Sequence, residues 1–270
     1  MTEQSTKPQR SFLVPEMAHV RKVQTEDVFM WLAKGWTDTK HLKKVSMIYA
    51  ALFLFIGVFI SFGFHFLKLP YLILPSLTGF LLVGPAIAVG FYEGSLRRQR
   101  GDEFTLWHAI WGFRRNTLAI MAIGIAQVFL FMIWIKMAFT VFAISFPGIM
   151  PEWGHIFDRA FSMEGIHFGI MLLAEGSIFA VGIFLTGAFS LPMMVDRKTM
   201  LIPAMVTSAY AVIRNFPVMI LWAAMIVAVM FTALVTGLGL IFAFPLIGHA
   251  TWHAYQQVLG QKENEDDTGS

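Results

Sequence analysis

The strongest constraint on this chain is a succession of apolar runs, each long enough to cross a bilayer. A span takes roughly 20 mostly apolar residues at about 1.5 Å rise per residue. Such runs lie at about Val45 to His65, Tyr71 to Tyr92, Thr117 to Phe142 and His167 to Pro192. The stretch from Phe216 to Tyr255 is too long for one crossing. Gly237 and Gly239 divide it into a fifth helix ending near Val235 and a sixth starting near Leu238. The background agrees, because 57% of the 270 residues are hydrophobic and only 14% are charged. Soluble domains carry about a quarter charged residues. The expected fold is therefore an all-α membrane protein with six transmembrane helices in three hairpins, seated in a lipid bilayer.

Lys and Arg in the connections orient these helices. One side receives Arg21, Lys22, Lys34, Lys40, Lys43 and Lys44, then Arg97, Arg98, Arg100, Arg114 and Arg115, then Arg197, Lys198 and Arg214. The other side holds Lys68, Arg159 and Lys136. This bias places both termini in the cytoplasm, with a bacterial inner membrane as the expected location. Met1 to Lys44 lacks the short apolar core and small-residue site of a cleaved signal peptide. Residues 1–24 read as a cytoplasmic tail and 25–260 as one membrane domain. Residues 261–270, with Glu263 to Asp267, read as a disordered acidic tail.

An amphipathic, cytoplasmic interfacial helix is expected before each hairpin. The first carries Val28, Trp31, Leu32, Gly35, Trp36 and Thr39 on one face, with Asp27, Lys34 and Asp38 opposite. The second carries Phe104, Trp107, His108 and Trp111, and the third Val206, Ala209, Tyr210 and Ile213. Three repeats follow, over 25–100, 101–198 and 199–260. Glycines concentrate in the even spans, at Gly79, Gly84 and Gly90, at Gly165, Gly169, Gly176, Gly182 and Gly187, and at Gly239 and Gly248. Small residues let helices approach closely in lipid, so the even helices are expected inside.

Few polar residues interrupt the apolar runs. Glu175 lies about eight residues into the fourth span, where an unpaired carboxylate costs several kcal/mol. It is either an ion, proton or substrate contact, with His167 two turns away, or a protonated packing group. His249 and His253 form an i, i+4 pair, a spacing that suits a metal ion or haem if ligands such as Glu93 or His108 join it. The alternative is a pair of interfacial histidines bonded to backbone, water or headgroups. Glu93, four residues before Arg97, reads as an ordinary helix ion pair. The absence of cysteine removes disulfides, iron–sulfur clusters and thiol catalysis. No phosphate-binding glycine loop, nucleophile elbow or metalloprotease motif occurs, so no catalytic residue is assigned and an enzyme is the weaker class. No polybasic block points to nucleic acid.

Three motifs carry a resemblance. G-W-x-D at Gly35 to Asp38, G-F-Y-E-G-S at Gly90 to Ser95 and P-L-I-G-H-A-T-W-H-A-Y at Pro245 to Tyr255 resemble DUF2189, a family of uncharacterised bacterial integral membrane proteins. Its members are sometimes labelled cytochrome c oxidase subunit I-like. A haem–copper catalytic subunit has more spans and more core histidines than this chain. The resemblance implies a multi-pass fold over roughly residues 20–260 and no particular chemistry. Three functional classes follow: an accessory or assembly subunit of a membrane complex, of a respiratory kind among others; a small transporter or channel using Glu175; and a metal- or haem-binding protein using His249 and His253.

Overall fold

The computed structural model describes residues 19–67, 84–147, 162–197 and 199–260. Most of the expected second span, residues 148–161 of the expected outer loop, and both tails (1–18 and 261–270) lie outside the described residues. The described residues contain helices and no strands. In chain order these are α1 (Asp27–His41), α2 (Lys43–Phe66), α3 (Val89–Arg100), α4 (Leu106–Ile110), α5 (Thr117–Ser145), α6 (Met163–Gly187), α7 (Ser190–Asp196), α8 (Leu201–Arg214), α9 (Phe216–Thr236) and α10 (Leu240–Leu259). A short 3-10 turn, Gly112–Asn116, leads into α5.

Local chemistry sets several of these ends. Thr105 caps α4 by accepting the His108 amide, and Ser162 caps α6 by accepting that of Gly165 at 3.1 Å. α3 stops at Gly101, whose φ of 73° suits a residue without Cβ. Gly237, at φ 66°, ends α9 and turns the chain toward α10, where the apolar run was expected to divide.

Four stretches among the described residues are long and apolar enough to cross a membrane: Lys43–Phe66, Gly112–Ser145, Met163–Asp196 and Phe216–Thr236. They correspond to the expected first, third, fourth and fifth spans. Only 11% to 28% of their most apolar windows is buried within the chain. Dense packing lies where α1, α3, α7, α8, the start of α9 and the C-terminal part of α10 meet. Trp31, Trp222, Trp252, Tyr255, Phe189, Met193 and Met194 are all essentially inaccessible there.

The pair α1 and α10 makes the most extensive helix contact. Gly35 permits it, since a Cβ at that position would stand 2.6 Å from the Ala250 amide nitrogen. The Trp31 indole donates to Gln257 Oε1 at 2.7 Å, and its ring meets that of Trp222 edge-on at 5.6 Å. Residues before α1 continue the belt. Arg21 donates its amide to the Val258 carbonyl at 2.9 Å, and Asn215 accepts the Val23 amide and donates to the Arg21 carbonyl, both at 3.0 Å.

Two helix breaks are sealed by hydroxyls from other helices. At Ala88, between the helical residues 84–87 and α3, the Tyr49 hydroxyl donates to the Ile87 carbonyl at 3.0 Å. Between α6 and α7, Ser208 donates to the Leu185 carbonyl at 2.9 Å and accepts the Phe189 amide at 3.0 Å. Both breaks would otherwise leave backbone groups without partners in an apolar setting.

The structure corrects two expectations about faces. Asp38 belongs to the buried face of α1 with Val28, Trp31, Gly35 and Thr39, while Trp36 is exposed. The spacing explains this, because Asp38 stands seven residues from Trp31 and so occupies nearly the same angle. Second, glycine-rich α6 is the least enclosed of the four long apolar stretches, and Gly169 and Gly182 have no neighbour within 4 Å of a built Cβ. Composition supplies small residues but does not say which neighbour uses them. The α1–α10 seam predicts that Gly35→Val lowers stability by about 1–3 kcal/mol. Gly63→Val, at a position with nothing within 4 Å, changes it by less than about 0.5 kcal/mol. Unfolding in mixed micelles measures both.

A buried polar network as the candidate functional site

The three sequence motifs meet at one place. Asp38, on α1, is 1% exposed. A carboxylate removed from water is tolerable only when donors surround it. Ser95 Oγ donates to its Oδ2 at 2.5 Å, and His253 Nε2 lies 2.9 Å from the same oxygen. The Arg98 guanidinium takes Oδ1. Ser95 and Arg98 stand one turn apart on α3, so one helix face supplies a neutral and a charged donor.

The network continues inward through His249, which is fully buried. Its Nδ1 lies 2.8 Å from Ser95 Oγ and its Nε2 3.0 Å from Ser46 Oγ. Donor roles fix the tautomer. Ser95 gives its proton to Asp38, so its oxygen accepts Nδ1–H from His249. Nε2 then carries a lone pair and accepts the Ser46 hydroxyl proton. The result is a directed chain from Ser46 on α2 through His249 on α10 and Ser95 on α3 to Asp38 on α1.

Small residues make room for it. A Cβ on Gly94 would stand 2.9 Å from the Phe104 ring and 3.3 Å from His249 Cε1, and one on Gly248 would meet Phe91 at 2.6 Å. The Phe91 ring in turn stacks edge-on with His249 at 5.5 Å. Gly90 receives the Tyr49 ring, which a Cβ would meet at 2.5 Å.

A second ionic group adjoins the first on α3. Glu93, 3% exposed, accepts from Arg97 Nε at 2.6 Å, and from Arg115 Nε at 2.6 Å and Nη2 at 2.9 Å. The expected Arg97 pair is present. Arg115, 22 residues on, adds a bidentate contact that local spacing could not reveal. A third group closes the C-terminal end of α10, where the Tyr255 hydroxyl donates to Asp196 Oδ2 at 2.6 Å and accepts from Arg197 Nε at 3.0 Å.

The candidate residues named from sequence therefore have these places. His249 and His253 share one network, joined through Ser95 and Asp38. Glu93 is taken by two arginines, and His108 turns back to Thr105 at the start of α4. Among the described residues, no group of three or more His, Asp or Glu side chains is placed to hold a metal ion. His167 is exposed, with Nδ1 2.7 Å from the Met163 carbonyl oxygen. Glu175 is 7% exposed, and neither carboxyl oxygen has a hydrogen-bond partner. The structure thus leaves His167 exposed and Glu175 covered, with no hydrogen bond between them. Sequence reasoning missed Ser46, Ser95, Arg98 and the central role of Asp38.

Chemically, the network is a hydrogen-bonded chain that reaches the surface through Arg98 and His253, whose side chains are 32% and 14% exposed. It ties α1, α2, α3 and α10 together. Asp38→Ala is expected to lower stability by about 3 kcal/mol, because it strands the donors of Ser95 and His253. A double-mutant cycle with His253→Ala should give a coupling of about 1–2 kcal/mol. Denaturant titration of the purified variants reads both, and a loss below about 0.5 kcal/mol for Asp38→Ala would sink the clamp.

Residues 73–196 match the family model described as "Predicted integral membrane protein (DUF2189)". The matched segment contains Gly90 to Ser95, Glu93 and Glu175, so the resemblance read from the sequence holds there. Neither a curated protein nor a solved structure matches the chain.

Proposed function

We propose that this integral membrane protein, with a DUF2189 segment at residues 73–196, serves as an accessory or assembly subunit of a bacterial inner-membrane complex. Its six spans form three hairpins, with both termini in the cytoplasm. The supporting observation is α6, an apolar helix that its own chain leaves largely uncovered although it carries the buried Glu175. A carboxyl group buried in an apolar helix without any bonded partner is costly. It lies on the helix whose long apolar stretch is least enclosed by its own chain. Its oxygens are covered by this chain's own side chains, so the surface left to a partner helix is the apolar face around it, where the open Gly182 allows close approach.

The clamp around Asp38 suits the same role. It holds the short helices rigidly and leaves the long apolar helices as docking surfaces. In solubilised native membranes the chain should migrate as part of a larger assembly, which Gly182→Leu, at a position with open space beside it, disperses while leaving the isolated subunit folded. Migration as a monomer, unaffected by that change, contradicts the proposal. Solute flux through reconstituted vesicles that is lost in Glu175→Gln would favour the transporter class. A bound metal or Soret band lost in His249→Ala and His253→Ala would favour the cofactor class.

Topology has a direct test, because the chain contains no cysteine. Single cysteines at Gln99 and Ser270 should react with an impermeant maleimide only after the cells are opened. One at Ser162 should react in intact cells. Labelling of the Ser270 position in intact cells overturns the six-span reading.

A further inference from the structure

The segments leading into α2, α5 and α9 share an arrangement that the Asp38 network does not use. Each carries an aromatic ring with a cation one helical turn on. Lys40 Nζ lies 5.7 Å from the Trp36 ring centre, the Arg114 guanidinium 4.0 Å from that of Trp111, and the Arg214 guanidinium 5.9 Å from that of Tyr210. Arg214 Nη1 also donates to the Tyr210 hydroxyl at 3.1 Å. Each pair stands within a few residues of the first residue of a long apolar helix, at Lys43, Thr117 and Phe216.

Two sets of cations stand out among the described residues; Lys34, Lys43, Lys44 and Arg100 are among those that belong to neither. Arg97 and Arg115 are paired with Glu93, Arg98 with Asp38, and Arg197 with Asp196. Among the described residues, Lys40, Arg114 and Arg214 have no carboxylate within salt-bridge distance. The first set holds the fold together, and the second lies over exposed or half-exposed aromatic rings.

The surrounding surfaces are apolar. α1 exposes Phe29 and Met30 beside Trp36, and the segment before α5 exposes Trp107 and Ile110. α8 is the clearest case. It buries Ala204, Thr207, Ser208, Ala211 and Val212 while exposing Ile202, Val206, Tyr210 and Ile213. A helix with mostly small and hydroxyl residues inward and four large side chains outward is best suited to an apolar medium.

We propose that the three pairs Trp36–Lys40, Trp111–Arg114 and Tyr210–Arg214 are contacts for the phosphodiesters of anionic glycerophospholipids in one leaflet. The apolar stripes sit among the acyl chains beneath. Charge complementarity favours the lipid, because an anionic headgroup supplies the negative charge these cations lack within the chain. Indole and phenol rings favour the same depth. The proposal rests on the six-span reading, which brings the starts of α2, α5 and α9 to one side.

The test uses the full chain in vesicles of phosphatidylcholine mixed with phosphatidylglycerol, with spin-labelled forms of each lipid reporting occupancy at the protein boundary. The wild type should prefer phosphatidylglycerol several-fold. The combined variant Lys40→Gln, Arg114→Gln, Arg214→Gln should lose that preference, and Lys40→Arg, Arg114→Lys, Arg214→Lys should keep it. Thermal unfolding should change little in both, since only ring contacts and the Arg214–Tyr210 bond at the surface are affected and no ion pair is broken. A wild type without preference, or a triple-Gln variant that retains it, overturns the proposal. Displacement of the labelled lipid by soluble glycerol phosphate also overturns it, by assigning the sites to a free phosphate. The cysteine labelling described above separates the two ideas. If labelling places Gln99 outside while the triple-Gln variant still loses the preference, the pairs bind anionic lipid but not in the arrangement proposed, and the six-span reading falls together with the single-leaflet part of the proposal.

Discussion

A buried carboxylate must be met by donors, and much of this structure is arranged to meet the carboxylate of Asp38. Ser95 and Arg98 come from α3 and His253 from α10, while Ser46 and His249 extend the bonding into α2. Close approach of these helices is a precondition, which explains the glycines at positions 35, 94 and 248. Each would otherwise hold a Cβ within 2.6 to 2.9 Å of a neighbouring heavy atom. Such an arrangement is demanding, because a half-satisfied buried network is worse than an apolar one. Its value lies in specifying one arrangement of four helices whose apolar surfaces alone would allow several.

The molecule combines two regimes of packing. Where the short helices gather against the start of α9 and the end of α10, large side chains such as Trp31, Trp222 and Trp252 are excluded from solvent. Along the long apolar helices, most of the surface faces outward. In water that surface would drive aggregation; in a bilayer it is matched by its surroundings. Lipid is as apolar as leucine, so the long helices gain little by burying more of themselves. The short-helix end, held by directional hydrogen bonds and ion pairs, therefore fixes the arrangement.

Much of the helical architecture was legible in the sequence. The apolar runs mark α2, α5, α6 and α9, and Gly237 marks the turn before α10. The three motifs read from the sequence were also visible, the second of them within the family match at residues 73–196, and they turn out to be the elements of one network. Its wiring was not legible. Asp38 and His253 are 215 residues apart, and no local spacing links them. The one available signal was angular: Asp38 shares the face of Val28, Trp31 and Gly35, so a charged residue stands on a buried stripe. The histidine pair was read by its i, i+4 spacing, yet His249 is held by two serines and His253 by the carboxylate. Spacing shows that two side chains share a helix face and leaves open what stands opposite.

Hydrogen exchange on the purified protein reaches the central claim most directly, which is that α1 is locked to α10 through Asp38. The account predicts that amides from Trp31 to Thr39 are as protected as those from Ala250 to Val258. It also predicts that both segments lose protection together in Asp38→Ala. Rapid exchange of α1 beside a protected α10 in the unmodified protein would contradict it.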